Sequence, residues 1–372
     1  MTTDTMILEF IRHSRHCIPN SDPSASIEAS VKNLYLDCLD SIVNNQAEAY
    51  IPSLILTNTY DKYSTLMPIK VGKNQQKYYL LYDVHLKEIL RLFNALFFDE
   101  EDPGHDLWKL SYELFAEDAL LENEEILLSY YGLNKVALGP FEVTDRYQSD
   151  WDFFLEIQER YIIGHELGHW LFKLSDDVNL AGNISVPISE MMNEIQLMLA
   201  EIYTAYEQLF QSQDYVELIH EQKNILSENN TIHEECFADA IAYAITFSHV
   251  QFQYPGDSEK MLMTGKALLL EMMLLQLLAM QHMTTSDESF ESSISIRLGF
   301  FRNYASLYFE DNKDIFDRML EASVIRYEER ITNSMLECFA ELEHRADQIY
   351  DTLTGKDGLL DPGRILSLSD RY

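Results

Sequence analysis

Apolar residues recur at helical spacing along most of this chain, and crowd into short β-like runs only near its start. Residues 25 to 46 carry Ile27, Val31, Leu34, Leu36 and Leu39 among polar neighbours, which predicts a helix. Near Tyr50 the pattern changes. Segments 51 to 57, 67 to 71 and 78 to 84 are short, rich in β-formers and separated by Asn, Asp, Gly and Lys, as the strands of a small meander would be. From His85 onward the spacing turns helical and stays so, in 85 to 98, 105 to 131, 148 to 173, 187 to 212, 231 to 250, 258 to 283 and 313 to 353. Residues 132 to 143 are assigned one further strand, and the pair Gly139-Pro140 suits an edge position. The pattern therefore predicts an α+β fold, predominantly α.

The greasiest stretch, 267 to 280, is shorter than a bilayer span and carries Glu271 and Gln276, so it reads as a buried helix and no membrane span is expected. In the last long helix Phe316, Leu320, Tyr327, Ile331, Met335, Phe339 and Leu342 recur at core spacing. The expected organisation is an N-terminal part, 1 to 140, with the first helix, the meander and the helices that follow, packed on a helical region from 141 to 355. A tail from 356 to 372 follows Gly355 and contains Gly358, Pro362 and Gly363.

Composition narrows the chemistry. The 372 residues include 62 acidic and 27 basic ones, a formal charge of -35 that repels nucleic-acid phosphates and anionic membrane surfaces. Nucleic acid is excluded as a partner on this ground. With 22 Tyr, 19 Phe and 14 Met the chain can fill a sizeable core without staples, so a metal here would serve catalysis. Cys17, Cys38, Cys236 and Cys338 form no CxxC pair, and the N-terminus lacks an apolar core with a cleavage site; both features fit a cytoplasmic protein.

Candidate chemistry appears at His165-Glu166-Leu167-Gly168-His169. On a helix His165 and His169 lie one turn apart on one face and can grip one metal ion. Glu166 sits about 100 degrees around from His165, where its carboxylate can take a proton from a metal-activated water. Ile162, Ile163, Leu167, Trp170 and Leu171 would bury the helix, while Gly164 and Gly168 each cost about 1 kcal/mol relative to Ala. That cost suggests a close approach, with Gly168 making room for a neighbouring strand.

A catalytic zinc needs a third protein ligand, and the segment 231 to 239 offers Glu235 with Asp239 one turn on. Asp239 is placed to accept a hydrogen bond from the outer nitrogen of a ligating histidine. Glu234 competes with Glu235, but Thr231 and Glu234 stand at capping-box spacing, which favours Glu235 as the ligand. His233 is assigned to the surface, and His282 to a helix end.

HELGH followed, after the 65 residues 170 to 234, by EECFAD resembles the HExxH and ExxAD motifs of the gluzincin metallopeptidases. The gap is closest to that of the CAAX prenyl-protein endopeptidases and their soluble relatives. The likeness covers residues 148 to 250, without the flanking transmembrane helices of the membrane-embedded members. Where some soluble relatives carry a His-Pro pair and an Arg, this chain has Glu291-Ser292 and Arg297, the latter read either as an oxyanion stabiliser or as an ion-paired residue. The resemblance implies a zincin-like fold with a small sheet beside the motif helix. It also implies zinc held by His165, His169 and Glu235, Glu166 as general base, Asp239 behind a ligand, and a peptide or protein substrate. A dedicated regulatory protease shares that site, and a catalytically silent binding or immunity module is the alternative.

Overall fold

The computed structural model describes Met6, Phe10 and residues 25–43, 51–57, 64–70, 76–98, 104–121, 124–138, 148–174, 188–209, 230–281, 288–327 and 331–353. Among these the protein is mostly helical, with one three-stranded sheet. The strands are β1 (Ser53–Thr57), β2 (Thr65–Lys70) and β3 (Gln76–Asp83), in the order β1-β3-β2. This is not the expected meander: β1 runs parallel to β3, and only β2 pairs antiparallel with it. The centre goes to β3, whose residues Tyr79 to Asp83 are all buried. Its side chains alternate as a pleat requires. Leu80 and Tyr82 enter the main core, while Tyr79 and Leu81 meet Ile55, Met67 and Ile69 on the opposite face.

The helices are α1 (Ala25–Ile42), α2 (Leu86–Phe98), α3 (Gly104–Leu121), α4 (Glu125–Ala137), α5 (Gln148–Leu174), α6 (Ile188–Leu209), α7 (Asn230–Gln253), α8 (Ser258–Gln281), α9 (Glu288–Ser306), α10 (Lys313–Tyr327) and α11 (Asn333–Leu353). Three expectations need correction. The segment 105 to 131 is not one helix: α3 ends at Leu121, Glu124 takes non-helical angles, and α4 runs on through Gly132 to Ala137. No strand therefore begins at Gly132; Tyr130, Tyr131 and Asn134 bury one face of α4, and Asn134 Nδ2 donates to the Tyr130 carbonyl at 2.8 Å. The rest of that candidate strand, 139 to 143, lies outside the described residues. The long C-terminal helix is likewise two, α10 and α11, with Tyr327, Ile331 and Met335 buried at a continuous four-residue spacing. Such spacing hides the break from the pattern.

Helix α5 is the axis of the molecule, with 27 residues of which most are buried. Its N-terminal half is tied to the sheet and to α2 by polar contacts. Tyr82 Oη donates to Glu159 Oε1 at 2.9 Å, Lys87 Nζ to Glu159 Oε2 at 2.7 Å, and the Asn94 and Gln158 amides exchange bonds at 2.7 and 3.1 Å. Its C-terminal half packs antiparallel against α7, where Gly164 faces Ala242 and Gly168 faces Ala238. A Cβ on Gly168 would stand 2.5 Å from the Ala238 Cα, so the close approach is real, but the neighbour is a helix and not a strand. The apolar helix α8 lies beside α5 and α7. By length and composition Ser258–Leu278 suffices to cross a membrane, yet 72% of that window is buried against the rest of the protein.

Candidate metal centre

The seam between α5 and α7 determines what stands above it. With Gly168 against Ala238, the next side chains toward the open end are His165 and His169 on one helix and Glu235 and Asp239 on the other. His165 Nε2 and His169 Nε2 are 3.1 Å apart, with their rings nearly perpendicular at 89°. Glu235 caps the pair, Oε2 lying 3.4 Å from His165 Nε2 and Oε1 3.5 Å from His169 Nε2. The outer nitrogens are taken by carboxylates as well. His165 Nδ1 is 2.9 Å from Asp239 Oδ1, and His169 Nδ1 is 2.9 Å from Glu234 Oε1.

These contacts decide where the ring protons go. A carboxylate accepts only, so each Nδ1 carries the hydrogen, and the two Nε2 lone pairs then point at one another. At 3.1 Å that arrangement requires a cation between them. A proton can serve: burial opposes a charge on His165, but Asp239 and Glu235 outweigh it and lift its pKa to about 10. A metal ion fits the third vertex too. With bonds of about 2.0–2.1 Å, tetrahedral coordination spaces ligand atoms about 3.3 Å apart, against 3.1, 3.4 and 3.5 Å here. The donor set is thus compatible with zinc.

Around this triangle lies a second ring of polar groups. Arg297, from α9, sets its guanidinium against Asp239 through Nε to Oδ2 at 2.8 Å and Nη2 to Oδ1 at 2.7 Å, and reaches Glu235 Oε2 with Nη1 at 3.0 Å. Of its two sequence readings, the ion-paired one is observed. Tyr161 Oη donates to Asp239 Oδ1 at 2.6 Å, and burial followed by the Asp239 charge keeps that hydroxyl protonated. Burial works to raise both carboxyls. Even so Arg297 and His165 hold Asp239 well below the usual range, and His165 and Arg297 bring Glu235 down to about 2. Both stay ionised at neutral pH.

Glu166 is buried, 8% exposed, one residue along from His165. Burial pushes its carboxyl up, against the pull of His165 and His169 and of a hydrogen bond from the Leu66 N–H. That bond follows from the sheet. Pro68 has no N–H to give β3, so its position faces the open edge of β2, and Leu66, two residues back, faces the same way. A cavity of about 400 Å³ opens here between β2, α5, α7 and α8.

All five residues singled out from the sequence, His165, Glu166, His169, Glu235 and Asp239, line or back this cavity. Glu234 holds His169 Nδ1 and stands 3.6 Å from Lys173 Nζ. Tyr161 and Glu271 were missed, although Tyr161 lies four residues before His165 and so shares its helix face. His282 lies outside the described residues, as do the side chains of Glu291 and Ser292. Comparison with protein-family models, characterised proteins and solved structures found no match, so the reading of this site rests on its own geometry.

Proposed function

We propose that this chain is a zinc-dependent endopeptidase of the gluzincin type, with a zincin-like arrangement of motif helix and edge strand. The observation that supports it most is the triangle of His165 Nε2, His169 Nε2 and a Glu235 oxygen, at tetrahedral edge lengths, with both outer imidazole nitrogens held by carboxylates. Those three residues would hold the zinc. When bound, zinc supplies a Lewis acid that lowers the pKa of water and polarises a carbonyl.

Each remaining part is supplied by the chain. Glu166, buried and steadied by the Leu66 N–H, takes the proton of the attacking water and returns it to the leaving amine. Asp239 and Glu234 keep the hydrogens on the outer nitrogens, so that the inner ones remain donors of electron pairs. Arg297 and Tyr161 prevent Asp239 from turning away. The substrate is a peptide or protein, laid along the open edge of β2 where Leu66 and Pro68 expose carbonyls to an extended chain. This replaces the edge expected over 132 to 143, whose residues Gly132 to Ala137 are helical.

Elemental analysis of protein purified without added zinc tests the reading. About one zinc per chain is expected, lost in His165→Ala and in Glu235→Ala. Glu166→Gln should retain the zinc and lose turnover of a peptide library by about a thousand-fold. Wild-type protein that takes up no zinc would leave the cluster as a proton-bridged ion network and remove the peptidase. A zinc-loaded Glu166→Gln variant with full biological activity would favour a binding module.

A further inference from the structure

Helix α8 turns Glu271, Leu274, Leu275 and Leu278 toward the cavity that holds the histidines. Their spacing puts all four on one helix face. Leu86 and Ile162 extend the apolar wall from the other side. Within that wall Glu271 is anomalous. It is 3% exposed, and its Oε2 has no hydrogen-bond partner among the described residues. A buried polar atom left unpaired is destabilising, and a fourth leucine would complete the wall without that cost.

Neighbouring cations do not account for it. Arg297 pulls on Glu271 electrostatically, but its nitrogens are engaged at 2.7 and 2.8 Å by Asp239 and at 3.0 Å by Glu235. Burial prevails over Arg297 and His165 and pushes the Glu271 carboxyl up to about 8. The side chain thus awaits a partner that enters with the ligand.

We propose that Glu271 and the leucine wall above it form a specificity subsite that takes a long basic side chain of the substrate, lysine or arginine. The proposal rests on the peptidase reading and names its substrate class. The methylene stem of such a residue packs along Leu274, Leu275 and Leu278, and its cation meets Glu271 at the floor, which releases its proton to solvent as the cation arrives and pairs as a carboxylate. An acidic side chain would meet Glu271 with Glu234 and Glu235 nearby, and an alkyl chain would leave Oε2 unpaired.

Two probes separate these cases: a short peptidyl hydroxamate with a lysine side chain and its norleucine isostere. Each is titrated by calorimetry into zinc-loaded full-length protein, with zinc content measured on the same samples. Wild type should prefer the lysine probe by about ten-fold or more, the scale of one charge-assisted contact. In Glu271→Gln that ratio should fall below about three-fold, and in Glu271→Leu it should invert in favour of norleucine. Equal binding of both probes to wild type, or a ratio unchanged in the variants, overturns the subsite while zinc-dependent binding leaves the peptidase reading intact. Protein that takes up no zinc and binds neither probe overturns both.

Discussion

Arg297 carries one positive charge for two carboxylates, the buried Asp239 and the half-buried Glu235, and is itself only 8% exposed. Removing one member of such a cluster leaves the others charged and unmatched, which typically costs 3–5 kcal/mol. Arg297→Leu should therefore lower unfolding free energy in urea by about 3 kcal/mol. It should also weaken zinc retention by about 10–100-fold in competition with a chelator, because Asp239 would no longer be fixed behind His165. At this scale the sequence was informative where geometry is local. His165 and His169 share a face by spacing alone, and Glu235 and Asp239 do too. It was less so where the partner is remote: Glu234 fits a capping box as written, and only the packing of α7 on α5 turns it to His169. Arg297, 58 residues beyond Asp239, could be read either way until α9 was placed.

Helix α5 meets α7 backbone to backbone at its two glycines. A Cβ on Gly168 would lie 2.5 Å from the Ala238 Cα and 2.9 Å from its carbonyl oxygen, whereas one on Gly164 would lie 3.1 Å from the Ala242 Cα. Backbone cannot yield as a flexible side chain can, so Gly168→Ala should destabilise by about 2–3 kcal/mol. At Gly164 the gain of about 1 kcal/mol in helix propensity offsets much of a smaller clash. The urea midpoints should fall in the order wild type, Gly164→Ala, Gly168→Ala; Gly168→Ala matching wild type would contradict the seam. The two glycines announced a close approach in the sequence, but nothing in them said whether strand or helix approached. Helices with sustained periodicity were legible throughout. Helix α9 was not assigned, because its serine-rich start dilutes the apolar spacing of Ile294, Leu298, Phe301 and Ala305. Breaks at Leu121 and Tyr327 were hidden because core spacing runs on across them.

A second charge cluster, distinct from the His165 and His169 cluster, ties the sheet to the helices that follow it. His85, in the turn after β3, lies 2.8 Å from both Glu113 and Glu117 of α3, and Lys135 of α4 pairs with Glu113. Burial works against a charged His85, yet the two carboxylates raise its pKa to about 9, and Glu113 in turn owes its charge partly to it. The sign follows: a histidine whose folded pKa is raised stabilises fully below its unfolded value of about 6.5, and that contribution fades as pH rises through about 9. Glu113, whose pKa is lowered, contributes above the ordinary carboxylate range and loses its share in acid. The stability gap between wild type and His85→Gln should thus be widest near pH 6 and shrink by on the order of 2 kcal/mol by pH 10, as read from thermal midpoints. A gap constant across that range would dissolve the cluster as a stabilising unit. Strand order at this scale was not legible either, since three β-like runs specify pleat and face but not that β1 would pair parallel with β3.

The glycine and alanine seam bears on more than stability. Its spacing of four residues on both helices, 164 and 168 against 238 and 242, lets α5 and α7 dock in a single register. The triangle of His165, His169 and Glu235 is thereby gauged by the fit of two helix surfaces, although 55 residues, 175 to 229, separate those helices in the chain. Two polypeptides, one ending after α5 and the other beginning before α6, should recognise each other along this seam and restore the histidine and carboxylate cluster, which makes the protein a natural candidate for a split reporter.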